Sequence, residues 1–571
     1  MTTDLLAKLE SNLGLLYGRD AAGVTRRIEE LAATWAGKIP AARSGWDQRD
    51  VFLITYGDSI GKAGQPGLAS LSSFLKQRVG SRIPMVHVLP FYPWTDDDGF
   101  SVVDFRAVDP PLGDWPDVEA LAEAGYRTVF DGVVNHVSKS SAYVKGHLSG
   151  DPAYADFCTQ RDPAFDDSQV TRPRTSPLYH SYEGAAGAVE LWTTFSEDQV
   201  DLNYANPAVL LELLDVLMFY AAKGASMIRL DAIPYMWKES GTNCVHRPQT
   251  HAFIRIARLV LDLAAPHVIL LSETNVPHVE NLTYFGDRGD EAQIIYNFTL
   301  SPLILYGLKT ADAEPLTRWA STLEPPDPSC TFLNITSTHD GIGMRPTEGI
   351  LTEEQRKVLT DLAVEHGGAV SARSNPDGSE SPYELNVAFF DAVNNPNDPN
   401  LDDEAQMRRF LVSQAIPMAL TGIPALYIHG LLGSRNDVDG MRESGIKRRI
   451  NREKLDLDAI DADLDDPTSL RARVFGGLMK LLDVRQQQPA FDPASANQVL
   501  DLGRHLFAVL RTAASGQRVL ALNNLSDEEL ACALPPDLPP EGARDLFDPD
   551  ATLSSPHVVL PAYGIRWLAW D

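Results

Sequence analysis

Two strand-like segments of this chain end in carboxylates that could act on a glycosidic bond. In MIRLDAI, Arg229 and Asp231 lie two residues apart and would point to the same face of a strand. The guanidinium would keep the carboxylate ionised and oriented, as a glycosidic nucleophile requires, although a structural ion pair explains the spacing equally well. Glu273 follows the apolar run VILLS, where hydrophobic neighbours would raise its pKa as a general acid needs; the alternative is a Glu that caps a following helix.

Two other segments also place polar side chains at the ends of strand-like runs. FDGVVNH contains Asp131, Asn135 and His136, and CTFLNITSTHD ends in His339 and Asp340. The Asn and His side chains of the first segment could contact a sugar or brace the rim of a barrel. In the second segment, His339 could donate to a substrate hydroxyl while Asp340 accepts from one, and a structural His–Asp pair is the alternative.

The apolar runs that carry these residues alternate with helix-length stretches. They are DVFLITY, MVHVLPFYP, TVFDGVVNH, SMIRLDAI, HVILLSET, CTFLNITSTHD and PALYIHG. Apolar runs with this spacing indicate βαβ units and a parallel sheet. Ionisable residues at the ends of several runs are typical of the catalytic face of a barrel. The sequence therefore predicts an α/β fold built on a (β/α)8 TIM barrel.

The 571 residues leave room for further structure around the barrel. Residues 1–45 carry apolar positions at helical spacing and predict an N-terminal helical appendage. We expect the catalytic barrel over 46–494, with inserted subdomains at about 138–200 and 342–408, where loop signals replace the alternation. Short strand-like runs predict a small C-terminal β-domain over 495–571.

Charge and composition narrow the classes of partner. The formal charge of −29 opposes nucleic acid and anionic membranes at long range, so neither is expected as a partner. An anionic substrate would need a local cluster of Arg and backbone N–H donors. The four cysteines lack metal-ligand spacing, and the N-terminus lacks the pattern of a signal peptide. We therefore expect a cytoplasmic protein without a metal site, and a homodimer is one alternative for its assembly.

The segments DGVVNH, RLD, the strand-end Glu273 and HD occur in this order along the chain. Together they resemble the four signature regions of glycoside hydrolase family 13, the α-amylase superfamily. The resemblance implies that Asp231 is the nucleophile, Glu273 the general acid/base and Asp340 the stabiliser of the transition state. It also implies three further contacts to glucose, from Arg229, His136 and His339.

Between residues 50 and 455 the chain is similar to one subfamily, the sucrose phosphorylases. The likeness rests on HVLPFYPW, DDDGFSVVDF, TRPR, THDGIG and RRINR. Members transfer glucose from an α-glucoside to phosphate, so inorganic phosphate would be a co-substrate and no cofactor would be needed. By this resemblance, Asp97 and Arg448 bind glucose hydroxyls. Arg174 of TRPR and Tyr383 of SPYELN would lie on mobile loops that exchange acceptor and phosphate.

The implied reaction is a double displacement with retained configuration. Glu273 would protonate the leaving oxygen while Asp231 attacks, with the two carboxyl groups about 5–5.5 Å apart. Phosphate would then attack the glucosyl-enzyme, and Arg174 is the candidate for its cationic contact. A hydrolase or transglucosidase with the same carboxylates is the first alternative, and a non-catalytic sugar-binding protein is the second.

Two departures from the sucrose enzymes lie on the acceptor side. Asn275 replaces a His in ETNVPH, and Glu384 replaces a Gln in SPYELN. With PWTDDDGFSVVDF and GSRNDVDG, these segments most resemble the glucosylglycerate phosphorylase branch; glucosylglycerol, sucrose and sucrose 6′-phosphate phosphorylases are the alternatives. The carboxylate of glycerate would favour a cationic contact such as Lys238 or Arg345. An ionised Glu384 would repel glycerate and would favour glycerol.

Overall fold

The computed structural model describes residues 3–375, 378–548, 550, 553 and 555–571. Its centre is the predicted barrel, a closed sheet of eight parallel strands whose residues are all buried. The strands are β1 (Phe52–Thr55), β2 (Met85–Val88), β3 (Arg127–Gly132), β4 (Ala225–Leu230), β5 (Ile269–Ser272), β6 (Ile294–Asn297), β7 (Thr331–Ile335) and β8 (Ile423–Tyr427). Burial on both faces explains why they form continuous apolar runs.

Helices follow the strands and cover the outside of the barrel. Those after β1 to β8, in order, are Gly67–Phe74, Trp115–Glu123, Pro207–Ala222, Pro248–Ala264, His278–Asn281, Leu300–Thr310, Asp403–Ala419 and Leu470–Gln486. Local sequence signals fix several of their starts. The helix that begins at Pro207 has proline in its first turn, and the Asn206 side chain accepts a hydrogen bond from Ala208 N at 2.9 Å.

Two helices occupy much of the predicted N-terminal appendage. Helix α1 (Thr3–Tyr17) packs against the barrel helix Pro248–Ala264, and α2 (Ala21–Trp35) packs against Pro207–Ala222. Their buried apolar residues are Leu9, Leu13, Val24 and Ile28. These side chains join the main core, so the appendage is attached to the barrel by hydrophobic contact.

Two long excursions leave the barrel, after β3 and after β7. The first contains the helix Ala142–Ser149, the hairpin of Tyr179–Gly184 with Gly187–Trp192, and the antiparallel pair of His136–Ser138 with Gln199–Asp201. The second contains the helix Glu353–Glu365 and a three-stranded sheet of Ile342–Gly343, Glu380–Asn386 and Ala369–Ser374. A backbone bridge from Arg172 to Ser374 joins the two excursions. Pro376 and Asp377, within the second predicted insertion, lie outside the described residues.

The last part of the chain forms antiparallel sheets, as the short runs predicted. The larger sheet has the strand order Ala496–Leu500, Leu506–Thr512, Arg518–Asn524, Ile565–Trp570 and Arg544–Asp545. Alternate residues face opposite sides: Phe507 and Val509 join the barrel core, whereas Leu506, Ala508 and Leu510 belong to a second, smaller core. Across the described ranges, no helix has both the length and the apolar content to cross a bilayer. The boundaries given above for the domains stay predictions.

Candidate active site

A cavity lies at the carboxyl ends of the barrel strands, where residues of both excursions meet. Parallel strands of a barrel end on the same face, so side chains that are distant in sequence converge there. The predicted site residues that line the cavity are Asp97, His136, Arg174, Asp231, Glu273, Asn275, His339, Asp340, Tyr383, Glu384 and Arg448. Of the predicted set, Arg229 and Lys238 are outside this lining.

Arg229 joins the two carboxylates that were predicted to carry the chemistry. Its side chain is 2% exposed; Nη1 lies 2.8 Å from Asp231 Oδ1 and Nη2 lies 3.8 Å from Glu273 Oε2. Asp131 accepts a hydrogen bond from the same guanidinium, and His87 Nε2 lies 2.7 Å from Asp131 Oδ2. Arg229 is therefore fixed by a buried pair behind it. Asp231 and Glu273 consequently face the same small space.

The turn after β4 brings Glu273 to Asp231. Ala232 has a φ of 50°, in the left-handed region that non-glycine residues rarely adopt. In this conformation its N–H donates to Glu273 Oε2 at 3.2 Å, while Glu273 N–H donates to Leu230 O at 3.1 Å. Strained backbone of this kind persists only where the surrounding structure determines it. Here it holds the predicted acid/base beside the predicted nucleophile.

Burial and charge give the two carboxyl groups different properties. Burial raises the pKa of Glu273 to about 8; Arg229 opposes this rise, and the negative charge of Asp231 adds to it. Burial also raises the pKa of Asp231, and Arg229, which is closer to this carboxylate, opposes the rise. A carboxyl group with a pKa near 8 keeps its proton at neutral pH. This suits Glu273 to general acid catalysis, whereas the short ion pair favours an ionised Asp231.

Arg448 binds three acidic side chains of the cavity. Its Nη1 lies 2.6 Å from Asp340 Oδ1 and 3.8 Å from Asp97 Oδ2. Burial disfavours the ionised form of Asp340, but Arg448 and the other basic side chains nearby together outweigh it and hold the pKa well below its usual range. Glu384, which is 2% exposed, receives two hydrogen bonds, from Nε at 3.0 Å and Nη2 at 2.5 Å. Arg448, which Glu384 shares with Asp340, offsets part of the charge of this carboxylate, and the expectation that Glu384 would repel glycerate stays a prediction.

Two histidines and a phenylalanine line another part of the cavity. The ring of His339 stacks on Phe100, with centroids 4.8 Å apart and planes 4° apart. His136 Nε2 lies 3.0 Å from the carbonyl oxygen of Phe100. Burial holds the pKa of His339 well below its usual range, so its imidazole is neutral. Its Nδ1 is buried without a hydrogen-bond partner among the described residues, and such a nitrogen can bind a sugar hydroxyl.

Comparison with known proteins identifies the family to which this chain belongs. The catalytic domain of the α-amylase family matches residues 78–319. Glucosylglycerate phosphorylase of Allomeiothermus silvanus is 46% identical, over 88% of this chain and 89% of its own. The enzyme of the same name from Spirochaeta thermophila is 42% identical, over 92% and 90%. The chain belongs to the glycoside phosphorylases of the α-amylase family. Among solved structures, sucrose 6F-phosphate phosphorylase from Thermoanaerobacter thermosaccharolyticum superposes with a TM-score of 0.72 at 25% identity, covering 85% of this chain and 95% of that one.

Lys238 of this glycoside phosphorylase lies outside the cavity, contrary to its prediction as an acceptor contact. Its Nζ is 2.7 Å from Asp201 Oδ2, and the carboxylate is fully buried. Asp201 also accepts a hydrogen bond from Thr194 N at 2.8 Å. A buried carboxylate without a cation would be costly, so Lys238 serves the stability of the first excursion. Its charge is not available to a substrate.

The charges of the phosphorylase cavity are arranged mainly as ion pairs. Asp231 and Glu273 share Arg229, and Asp340 and Glu384 share Arg448. In the part of the chain that the structure describes, no group of three or more His, Cys, Asp or Glu side chains could hold a metal ion. Each of these four carboxyl groups has a guanidinium group of the protein within 4.0 Å.

Arg174 is the exception among these arginines. Its guanidinium lies over two aromatic rings, 5.3 Å from the centroid of Tyr383 and 5.7 Å from that of Phe195. Its recorded hydrogen bond goes to the carbonyl oxygen of Pro173, at 3.3 Å. Within the described ranges, no carboxylate lies within 4.0 Å of it. Arg174 thus brings positive charge to the cavity that no acidic residue of the protein neutralises.

Several residues of the cavity were not predicted. They are Phe100, Phe195, Gln199, Ala232, Pro234, Tyr235 and Thr274. Five of them lie within four residues of Asp231, Glu273 or Asp97, so a search of the residues around these positions would have found them. Phe195 and Gln199 come from the end of the first excursion, and no signal in the sequence identifies them. Arg452, which donates to His339 O at 2.8 Å and pairs with Asp98 at 2.7 Å, was also missed.

Proposed function

We propose that this enzyme converts 2-O-α-glucosylglycerate and phosphate to α-glucose 1-phosphate and glycerate, with retention of configuration. The observation that carries the proposal is the content of one cavity. Asp231 and Glu273 lie there at the guanidinium of Arg229. Arg174 also lines the cavity, and no acidic residue of the described chain neutralises it. The paired carboxylates suit transfer of a glucosyl group, and Arg174 suits phosphate, the anion that receives this group. Relatives named glucosylglycerate phosphorylase support glycerate as the partner of glucose.

In the first step, Asp231 attacks the anomeric carbon of the glucoside. The bond from this carbon to the glycosidic oxygen breaks, and Glu273 gives its proton to that oxygen, so that glycerate leaves with a free hydroxyl group. A β-linked glucosyl ester of Asp231 remains. The pKa of Glu273, about 8, provides the proton at neutral pH, and the Arg229 contact keeps Asp231 nucleophilic.

In the second step, an oxygen of phosphate attacks the anomeric carbon from the opposite face. The ester bond to Asp231 breaks, and Glu273 accepts the proton of the attacking P–OH group. Arg174 stabilises the phosphate charge close to the reacting carbon. Two inversions give α-glucose 1-phosphate, and Glu273 is protonated again for the next cycle.

The sugar is held by groups whose own partners fix them. Asp340 and Asp97 face the cavity beside Arg448, and His136 and His339 lie at Phe100. Carboxylates and imidazoles can bind several hydroxyl groups of glucose at once. Because these side chains are already oriented by ion pairs and stacking, little ordering is needed when glucose binds.

The experiment that tests the proposal measures release of α-glucose 1-phosphate from four glucosides, with and without phosphate. The glucosides are 2-O-α-glucosylglycerate, glucosylglycerol, sucrose and sucrose 6′-phosphate. We expect release from glucosylglycerate that depends on phosphate. If only another of the four glucosides released α-glucose 1-phosphate, the partner of glucose would be the one in that glucoside and not glycerate. Free glucose formed equally without phosphate would make the enzyme a hydrolase.

Arg174→Ala is expected to raise the KM for phosphate roughly 10- to 100-fold, because a charge-assisted contact to the anion is lost. Hydrolysis of the glucosyl-enzyme should change much less, since water needs no cation. The measurement is the initial rate of phosphorolysis against phosphate concentration, together with glucose release in its absence. Arg161→Ala is the matched control, because Arg161 also lies over an aromatic ring, Tyr179, but is paired with Glu190. An unchanged phosphate dependence would remove Arg174 from the mechanism.

A further inference from the structure

Arg345, which lies just after the strand Ile342–Gly343, is a buried arginine with incomplete pairing. The residue is 8% exposed, and its Nε is buried with no hydrogen-bond partner among the described residues. Its one recorded ion pair is loose: Nη2 lies 3.8 Å from Glu280 Oε2. Glu280 is engaged more closely by His246, at 3.0 Å. The guanidinium of Arg345 therefore keeps donors that the protein does not use.

A second arginine beside Arg345 increases the positive charge. Arg373 is fully engaged, with Nη2 3.2 Å from Glu348 Oε1 and Nε donating to Ser381 Oγ at 3.1 Å. Burial lowers the pKa of Arg373, and the nearby charge of Arg345 lowers it further. Arg345 is buried and Arg373 is partly buried, and like charges in such surroundings are costly unless anions compensate them. Glu348 compensates Arg373, whereas among the described residues Arg345 has only the loose pair with Glu280, so an anionic ligand would complete the pairing of Arg345.

Arg345 is not itself among the residues that line the cavity, but its segment adjoins the acceptor side. Two residues earlier, a Cβ on Gly343 would lie only 2.4 Å from Asn275 Oδ1, so this segment touches Asn275. Asn275 lines the cavity two residues after Glu273, and its Oδ1 is itself buried without a partner among the residues described. Tyr235 also lines the cavity. Its pKa is raised by burial, and the positive charge of Arg345 is the strongest influence that opposes this rise.

We propose that Arg345 binds the carboxylate of the acceptor, and that the site thereby selects a small hydroxy acid over a neutral polyol. This proposal rests on the proposed function, since it concerns the molecule that leaves in the first step. Asn275 is suited to a hydroxyl group of the same acceptor, because its buried Oδ1 has no hydrogen-bond partner in the described part of the chain. Glu384 opposes the anion less than a free carboxylate would, because Arg448 donates two hydrogen bonds to it. Arg345 is thus separate from Arg174, which serves phosphate.

The test measures how the glucosyl-enzyme divides between glycerate and water. The enzyme is given α-glucose 1-phosphate and increasing glycerate, and the ratio of glucosylglycerate to glucose is measured. Both products come from one intermediate, so the ratio does not depend on how much of the preparation is folded. For Arg345→Gln we expect the slope of this ratio against glycerate concentration to fall roughly 10- to 100-fold. In Arg345→Lys, which keeps the charge but loses the planar guanidinium group, this slope should fall less.

Glycerol provides the comparison with an uncharged acceptor. The slope for glycerol should change less than threefold in Arg345→Gln, and Arg442→Gln, an exposed arginine paired with Asp439, should keep the wild-type slope for glycerate. A wild-type slope for glycerate in Arg345→Gln would overturn the proposal, and so would an equal fall for glycerol, which would show only that water enters more easily. If the wild-type enzyme forms no glucosylglycerate at all, the proposed function itself fails, which is a different result.

Discussion

Asp231→Asn is expected to lower the rate of α-glucose 1-phosphate formation by at least about 10⁴-fold, because an amide cannot form the glucosyl ester. The fold should persist, since asparagine has the same shape and can still accept from Arg229, now 2.8 Å from the carboxylate. The measurement is kcat/KM for phosphorolysis, combined with mass spectrometry of peptides from enzyme quenched during turnover. In the wild type, one glucosyl unit should be attached to the peptide that contains Asp231.

Asp458→Asn is a suitable control for this experiment. Asp458 forms an exposed ion pair with Lys62, and its side chain is 65% exposed, so its replacement changes the charge equally without touching the cavity. It should retain the activity and the labelled peptide of the wild type. Substantial phosphorolysis by Asp231→Asn, or a glucosyl unit on another peptide, would contradict the assignment of the nucleophile.

Glu273→Gln is expected to lower kcat/KM for glucosylglycerate by about 10²- to 10⁴-fold, because the leaving oxygen no longer receives a proton. With a donor whose leaving group needs no proton, such as α-glucosyl fluoride, the rate of the first step should fall much less. The pH dependence gives a second readout. The pKa of Glu273 is about 8, so the protonated form declines as the pH rises through that value. The wild-type kcat/KM should therefore fall on the alkaline side with a midpoint near pH 8.

The variant should lack this alkaline decline, because glutamine does not titrate. Measurement of kcat/KM from pH 6 to 10 with both donors separates the loss of the proton from a general loss of structure. Equal losses with glucosylglycerate and with the fluoride would argue that Glu273 has a structural role. An alkaline decline that persists in Glu273→Gln would assign the titration to another group.

The barrel and the positions of the acidic residues could be predicted because both depend on local sequence. Buried parallel strands form continuous apolar runs, and a catalytic carboxylate comes directly after such a run, as Asp231 and Glu273 do. Strand β6 was the exception. Its apolar residues are only Ile294–Tyr296, between Gln293 and Asn297, whereas the equally short strands β1, β2 and β5 lie in longer, largely apolar segments.

Contacts between distant segments could not be predicted. Lys238 and Glu384 carry charges whose meaning depends on partners far away in the sequence. Lys238 is 37 residues from Asp201, and Glu384 is 64 residues from Arg448, and in each case the partner decides whether the charge reaches a ligand. Composition and spacing show that charges are present. They do not show which of them are neutralised by another part of the fold.

The left-handed turn at Ala232 has a consequence for how this family can diversify. The amide that holds the acid/base belongs to the residue directly after the nucleophile, so the spacing of the two carboxyl groups depends on a few atoms of the main chain. The spacing of such a pair decides the stereochemical outcome of glycosyl transfer. The excursions at the mouth of the cavity can therefore change in length and sequence without affecting that outcome. A descendant of this enzyme could acquire a new acceptor and would still retain the anomeric configuration of its donor.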